Sequence, residues 1–377
     1  MDRPTPAIVR AVRYASGEWR KDLDVRRALG ADRELVFYCG AAIDLEWVRS
    51  TLAAARRAGR RCAVVISGDP LRSVPAEVDS EVPLVCGSAY ALRWVRAPIV
   101  VTASSGVSRR HVPPDVRLVH MPHTLSSLHM IYPEGAFDAY HELFAVGEHH
   151  MEEAARLTTL RSSFRARTHL VGYGKTDLLA AQSALPPLGV EAEVLLAPSF
   201  GGGKVLDAVG MSLVTGLLRR GYRVTVRPHP LHWDGSFCSR FRAEFATHPL
   251  ARLDDPNSGM DVLRRADVLI SDFSGVSYEF AFSRLKPVVY LDTPLKVNNE
   301  NWRALGLTPF EVGARTRVGR LVSPEAEQVA DAVSELLGKG TTFAESIRQV
   351  RDHHCANFGR VGEVAYATLA DWLPSAT

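Results

Sequence analysis

Two short segments carry residues that could hold and transform a phosphate. In TVRPHP, Thr225 to Pro230, an apolar run ends in Arg227 and His229. Arg227 offers a planar fork of donors, and His229 offers a donor or a proton-transfer group. Pro228 and Pro230 fix the backbone and stop the strand, which holds both side chains at its end. An exposed turn is the plainer alternative. In LISDFSGVSYEFAF, Leu269 to Phe282, a buried strand leads through a polar turn into a helix. Ser271, Asp272, Ser274 and Gly275 stand where that helix starts, with Ser277 in its first turn. Unpaired N–H groups and the positive end of the helix dipole favour an anion there. The same residues could form an ordinary helix cap. Asp272 has the wrong sign to touch a phosphate and is expected to orient a neighbour or cap the helix.

A third segment, His120 to Ala154, is rich in histidine. His123 follows a strand and is the candidate general base, because imidazole is the side chain best suited to that task near neutral pH. His111, His120, His129, His141, His149 and His150 crowd the same region. His149 and His150 begin a helix and read as capping or surface groups. No HExxH pattern with a third ligand at suitable spacing occurs, so no metal is assigned. APSFGGGKV, Ala197 to Val205, is a Gly-rich turn but not a Walker A loop. Its Ser199, Gly201, Gly202 and Lys204 could admit a ligand close to the backbone. VGYGKTD, Val171 to Asp177, is not a dinucleotide fingerprint, since Asp177 stands where a third Gly belongs. His353, His354 and Cys355 lie on a late helical stretch and read as structural.

Apolar runs alternating with helical stretches must position these residues. The first-half runs are Leu35–Cys39, Cys62–Ile66, Leu84–Cys86, Pro98–Thr102, Val116–His120, Leu143–Val146 and His169–Val171. Asp44–Ala58 and Glu148–Leu160 have helical spacing, with Asp44 placed to cap the first. The second-half runs are Glu193–Ala197, Tyr222–Arg227, Ala251–Leu253, Val268–Ser271 and Pro287–Leu291, with helical stretches Val205–Arg219, Met260–Arg265 and Val276–Ser283. Continuous apolar strands with helices between them predict parallel sheets covered on both faces. The pattern pauses at Ala181–Glu193, where Pro186, Pro187 and Gly189 mark a linker. Pro324 to Leu373 is nearly all helical. The expectation is an α/β chain with two Rossmann-like domains, parallel sheets facing a cleft. The N-terminal domain spans residues 1–185 and the C-terminal domain 186–357, with a last helix at about 358–377 packing back on the first. In such sheets ligands sit beyond the carboxyl ends of strands, where His123, Arg227, His229 and Asp272 all fall.

Composition agrees. At 377 residues the chain exceeds the roughly 250–300 at which single cores stop growing. With 46% hydrophobic residues and a net charge of +3, it is neither disordered nor basic enough to argue for nucleic acid. Five cysteines without CxxC spacing fit a reducing compartment, hence a cytoplasmic location. No apolar window long enough for a transmembrane helix occurs. Arg10, Arg13, Arg20, Lys21, Arg26 and Arg27, with Tyr14 and Trp19, could lie peripherally on anionic lipid. Glu18, Asp22 and Asp24 dilute that stretch, and a solvated helix face is the alternative.

Taken in order, these segments resemble the CDP-glycerol glycerophosphotransferase family, the primases and polymerases of teichoic acids and related capsule polymers. The similarity rests on Gly172 to Asp177, Leu196 to Phe200, Arg227 to Pro230, Asp267 to Gly275 and Lys286-Pro287, and covers about residues 115 to 295. It implies a glycosyltransferase-B-like fold with the active site between its domains. It implies transfer of a polyol phosphate from a CDP-activated donor to an acceptor hydroxyl, with release of CMP. His123 is then the base and His229 a second catalytic residue. Arg227, Ser271, Asp272, Ser274, Gly275 and Ser277 would contact the donor diphosphate. The family's H-G-T-like triplet appears here as Pro122-His123-Thr124, without its Gly, and Gly275 stands where a second Ser is common. The acceptor would be a polyol phosphate, a glycan or a lipid-linked chain, placing the protein at the inner face of the plasma membrane. No cofactor is required by the sequence, and assistance by Mg2+ stays open, as does the oligomeric state. The alternatives are a nucleotide-sugar glycosyltransferase or epimerase on the same frame, or a nucleotide-binding homologue without catalysis.

Overall fold

A computed structural model describes residues 33–67, 82–199, 205–229, 232, 233, 235–254 and 260–374, together with 23, 25, 26 and 29. Gly201, Gly202 and Lys204 lie outside the described residues, as does most of the basic stretch Arg10 to Arg27. The chain divides into two compact units. The first holds the described residues up to His123, then Gly135–Leu178 and the chain from Ala356 onward. The second holds Thr124–Glu134 and Leu179–Cys355.

In the first unit, β1 (Leu35–Cys39), β2 (Cys62–Ile66), β3 (Leu84–Cys86), β4 (Ile99–Thr102), β5 (Arg117–His120), β6 (Glu142–Ala145) and β7 (Arg167–Leu170) form one sheet. Its order is β3-β2-β1-β4-β5-β6-β7 and every pairing is parallel. All residues of β1 and β2 are buried, as strands covered on both faces must be. The helix Leu45–Arg57 contributes Leu45, Val48 and Leu52 to the core, the spacing of one helical stripe. Val361, Ala365 and Leu369 of the helix Val361–Ala370 join the same core, so the end of the chain closes the unit that its beginning opened. Gly172 permits this closure. Its φ is +115, and a Cβ there would collide with the carbonyl of Ala356.

The second unit repeats the plan. Its strands are β8 (Glu193–Leu196), β9 (Arg223–Val226), β10 (Ala251–Leu253), β11 (Val268–Ser271), β12 (Val288–Leu291) and β13 (Gly319–Val322). They pair in parallel in the order β10-β9-β8-β11-β12-β13. Leu213, Val214 and Leu217 pack on one face with Val329, Val333 and Leu336. Phe237, Phe241 and Phe245 add a turn-by-turn aromatic stripe from the helix Ser236–Phe245. Both sheets have doubly wound order, and each reverses direction at one point: between β1 and β4 in the first, between β8 and β11 in the second.

Four local features differ from the sequence expectations. Strand β13 and the helix Ser236–Phe245 escape the apolar-run reading. Strand β13, GRLV, is an edge strand with exposed Arg320 and only half-covered Leu321 and Val322. Gly319 begins it because a side chain there would meet the Val288 carbonyl. Asp44 does not cap the helix Leu45–Arg57. Its carboxylate turns back to accept the amide of Gly40 at 2.8 Å and the hydroxyl of Ser104 at 2.6 Å, tying the exits of β1 and β4 together. His149 and His150 are buried rather than surface groups, their rings 4.5 Å apart, and His150 Nδ1 accepts the Val146 amide. All five cysteines are free thiols, and burial pushes Cys62 up to about 12. Among the described residues no helix is long and apolar enough to cross a membrane.

Candidate functional site

The second sheet places its chemistry at the carboxyl ends of β8, β9 and β11, around its reversal point. Ser271 ends β11 fully buried, and its hydroxyl donates to the Ala197 carbonyl just past β8 at 2.8 Å. Asp272 follows, 1% exposed. It accepts the Ser199 amide at 2.6 Å and the Ser199 hydroxyl at 2.8 Å. The carboxylate that could not face a phosphate thus orients the neighbouring strand exit. Two charge-assisted bonds fix Ser199 just past the end of β8.

The chain then turns through Phe273, Ser274 and Gly275 into the helix Val276–Arg284. Ser274 and Gly275 are half-buried, and no side chain caps the helix. At Gly275 an added Cβ would meet only the Thr124 hydroxyl, at 3.3 Å. Backbone amides at this end are therefore approachable, with the positive end of the dipole behind them. Ser277 points inward. Its hydroxyl donates to the Ser274 carbonyl at 2.8 Å and accepts from Tyr290 at 3.3 Å, bracing the turn from beneath.

Arg227 and His229 stand at the end of β9. The Arg227 amide is anchored on the Leu196 carbonyl at 2.9 Å. Its Nη1 lies 3.7 Å from Asp254 Oδ2, beyond hydrogen-bond length but within ion-pair range. His229 is half-buried, and burial, then the charge of Lys296, then His232 lower its pKa to about 4. The imidazole is therefore neutral at physiological pH.

Sequence reasoning missed two cations here. Lys296, in the loop after β12, is half-buried. Burial lowers its pKa, while Asp272 and Glu311 pull it back up. It shares the field of both His229 and Asp272. The rule that ligands gather past strand ends would have reached it, five residues beyond Leu291. Arg315 is 6% exposed, with its guanidinium carbon 4.4 Å from the centre of the Phe273 ring. Its Nε and Nη1 are enclosed without a hydrogen-bond partner among the described residues. No spacing rule points to it, because only folding brings it beneath the turn.

In the first unit, His123 lies past the carboxyl end of β5. Its Nδ1 is 2.9 Å from the Ala103 carbonyl, which can only accept. The ring proton therefore sits on Nδ1, and Nε2 keeps its lone pair. Trp47 meets the ring edge-on at 5.8 Å. Trp47 Nε1 donates to the Tyr173 hydroxyl at 2.5 Å, which donates to the His123 carbonyl at 3.3 Å. This chain of contacts holds the imidazole by both backbone and side chain. By contrast His120 is completely buried between Phe137 and Tyr140, and burial drives its pKa well down. His353 and His354 pack edge-on against each other at 4.5 Å on the helix Gly340–His354. Among the described residues no three His, Cys, Asp or Glu side chains gather as a metal site.

No family model matches the chain, and no curated protein matches it. Solved structures do. The wall teichoic acid polymerase TagF is similar over 93% of this chain and 92% of its own, with a TM-score of 0.62 and 13% identity. A putative UDP-N-acetylglucosamine 2-epimerase from Listeria monocytogenes covers 90% and 96%, with a TM-score of 0.61 and 14% identity. The UDP-GlcNAc 2-epimerase of Methanocaldococcus jannaschii, in complex with UDP-GlcNAc and UDP, covers 90% and 99%, with a TM-score of 0.58 and 14% identity. At such identities the likeness is one of fold. The class it defines is α/β with two Rossmann-like parallel sheets, the glycosyltransferase-B type.

Proposed function

We propose that this chain is a transferase that moves a polyol phosphate from a CDP-activated donor to an acceptor hydroxyl and releases CMP. The observation that carries the reading is the edge of the second sheet. There Arg227, neutral His229, Lys296 and an uncapped helix start surround a turn that Asp272 and Ser199 hold rigid. Such an edge suits a diphosphate. Arg227 and Lys296 neutralise its charge, the amides of Ser274 and Gly275 donate to its oxygens, and His229 donates from one ring nitrogen. Phosphoryl transfer needs this positioning and neutralisation more than covalent chemistry.

In the transfer, the acceptor oxygen forms a bond to the distal phosphorus while that phosphorus loses its bond to the bridging oxygen. CMP departs with the bridging electrons. The acceptor proton passes to His123 Nε2, the nitrogen left unprotonated by the Ala103 contact. The fold likeness to TagF, whose structure is also known after soaking with CDPG, supports this chemistry. A nucleotide-sugar enzyme is the second reading, favoured by the likeness to a UDP-GlcNAc 2-epimerase in complex with UDP-GlcNAc and UDP.

A thermal-shift series with CDP-glycerol, CDP-ribitol, CDP, CMP, UDP and UDP-sugars separates them, because a ligand of the native state raises apparent stability by mass action. Stabilisation by the cytidine series is expected, and stabilisation by UDP compounds alone would select the second reading. With an acceptor in hand, His123→Ala should lose turnover by 10²-fold or more while donor affinity is kept, the ordinary worth of a general base. Full turnover in both His123→Ala and His229→Ala would refute the assignment.

A further inference from the structure

A separate cavity of about 330 Å³ opens in the second unit at the amino ends of β8, β11 and β12. Arg264, Arg265, Arg284 and Lys286 line it, with Asp267 and Glu191. Asp267 precedes β11 and Asp272 follows it, so about 16 Å of extended chain separates this cavity from the diphosphate edge. The two cannot share one ligand phosphate.

Both carboxylates of the cavity are already occupied. Asp267 accepts Lys286 Nζ at 2.9 Å and the Glu193 amide at 3.0 Å, and Glu191 pairs with Arg223 at 3.0 Å. Arg264 is also spent, donating to Asp261 and to the Ser183 carbonyl, each at 2.9 Å. Arg265 and Arg284 differ. Nε of each is enclosed with no hydrogen-bond partner, and neither guanidinium has an ion pair among the described residues. The nearby buried carboxylate of Glu193 attracts Arg265 but takes its hydrogen bond from Thr225, at 3.2 Å. Burial, and then the neighbouring Arg264, make the charged form of Arg284 harder to keep. Arg284 is half-buried with no ion pair among the described residues, and Arg265 has only a carboxylate that does not bond to it, so a further counter-charge would favour both. Planar guanidinium forks match the oxygens of a phosphate or a carboxylate in pairs, and a phosphate can present oxygens to both arginines at once.

We propose that this cavity is a second anion site, in which Arg265 and Arg284 bind the phosphate of a phosphomonoester or phosphodiester. The site stands whether or not the donor reading is right. Three sources share the chemistry: free phosphate, a polyol-phosphate chain and the headgroup of an anionic lipid.

The test uses the full chain at constant ionic strength. Inorganic phosphate and glycerol 3-phosphate should raise its melting temperature, and the double variant Arg265→Gln/Arg284→Gln should lose at least tenfold in affinity for both. Its response to CDP should be unchanged, which keeps this test independent of the donor site. Should the lipid headgroup be the source, the chain will float with phosphatidylglycerol vesicles but not phosphatidylcholine ones, and the double variant will float with neither. Hydrogen exchange on the unmodified chain covers the case of a variant that fails to fold. Added phosphate should protect residues 261–267 and 284–288. Protection confined to 197–199 and 271–277, equal binding by the double variant, or no response to phosphate, glycerol 3-phosphate or vesicles would overturn the proposal.

Discussion

The bonds from Ser199 to Asp272 set the shape of the candidate diphosphate edge, and their removal has a calculable cost. Asp272 is 1% exposed and takes two charge-assisted bonds, at 2.6 and 2.8 Å. Bonds to charged groups contribute about 1.5–3 kcal/mol each, and a buried donor left unpaired costs about 1–3 kcal/mol. Asp272→Ala should therefore lower unfolding stability by about 3 kcal/mol. Asp272→Asn should cost less, about 1.5 kcal/mol, because the Ser199 hydroxyl can reverse and both contacts survive as neutral bonds. Ser199→Ala removes the hydroxyl bond alone, about 1.5 kcal/mol in the native background and close to nothing once Asp272 is alanine. Urea unfolding of the four proteins of this cycle should give a coupling energy of about 1.5 kcal/mol. A coupling below about 0.5 kcal/mol would show that Asp272 does not hold Ser199, and the rigid-turn argument would fall with it.

Other outcomes follow from the same geometry. His229 titrates near 4 in the folded chain, below its ordinary value of 6.5, so between those values the unfolded state binds more protons. Its contribution to stability is therefore complete above about 6.5 and lost as pH falls through 4. A bound diphosphate diester raises this pKa, so donor binding should take up a proton and tighten as pH drops from 6.5 towards 4. Calorimetry in buffers of different ionisation enthalpy measures the uptake, and His229→Gln should abolish it. Glu311, 1% exposed, accepts the Ser127 amide and hydroxyl, both at 2.8 Å. Glu311→Gln should cost about 2–3 kcal/mol by denaturant titration and speed hydrogen exchange in Thr124–Glu134 first. Gly172→Ala should destabilise the first unit by more than 1 kcal/mol in the same assay, since its φ is +115 and the Ala356 carbonyl fills the space.

Much of the architecture is legible in the residue order. Buried parallel strands are written as unbroken apolar runs, so β1, β2, β8 and β11 announce themselves by composition alone. Strand β13 is silent because an edge strand needs only one covered face. The segment Thr124–Glu134 reads as a continuation of the first half, yet it belongs to the second unit through bonds such as Ser127 to Glu311, 184 residues apart. Nothing local encodes such a bond.

The candidate site divides in the same way. Arg227, His229, Asp272 and His123 are visible beforehand because each follows an apolar run, and strand ends are where doubly wound sheets expose side chains. Residue order alone determines that. The state of those side chains was decided by tertiary structure: Asp272 bound to Ser199, Ser277 turned inward, His229 kept neutral, and His123 oriented by its Nδ1 contact with the Ala103 carbonyl. Lys296 and Arg315 enter the site only because folding brings residues from farther along the chain close to Asp272 and Phe273. Protonation, tautomer and field depend on burial and on neighbours distant in sequence, and both come into being only when the chain has folded.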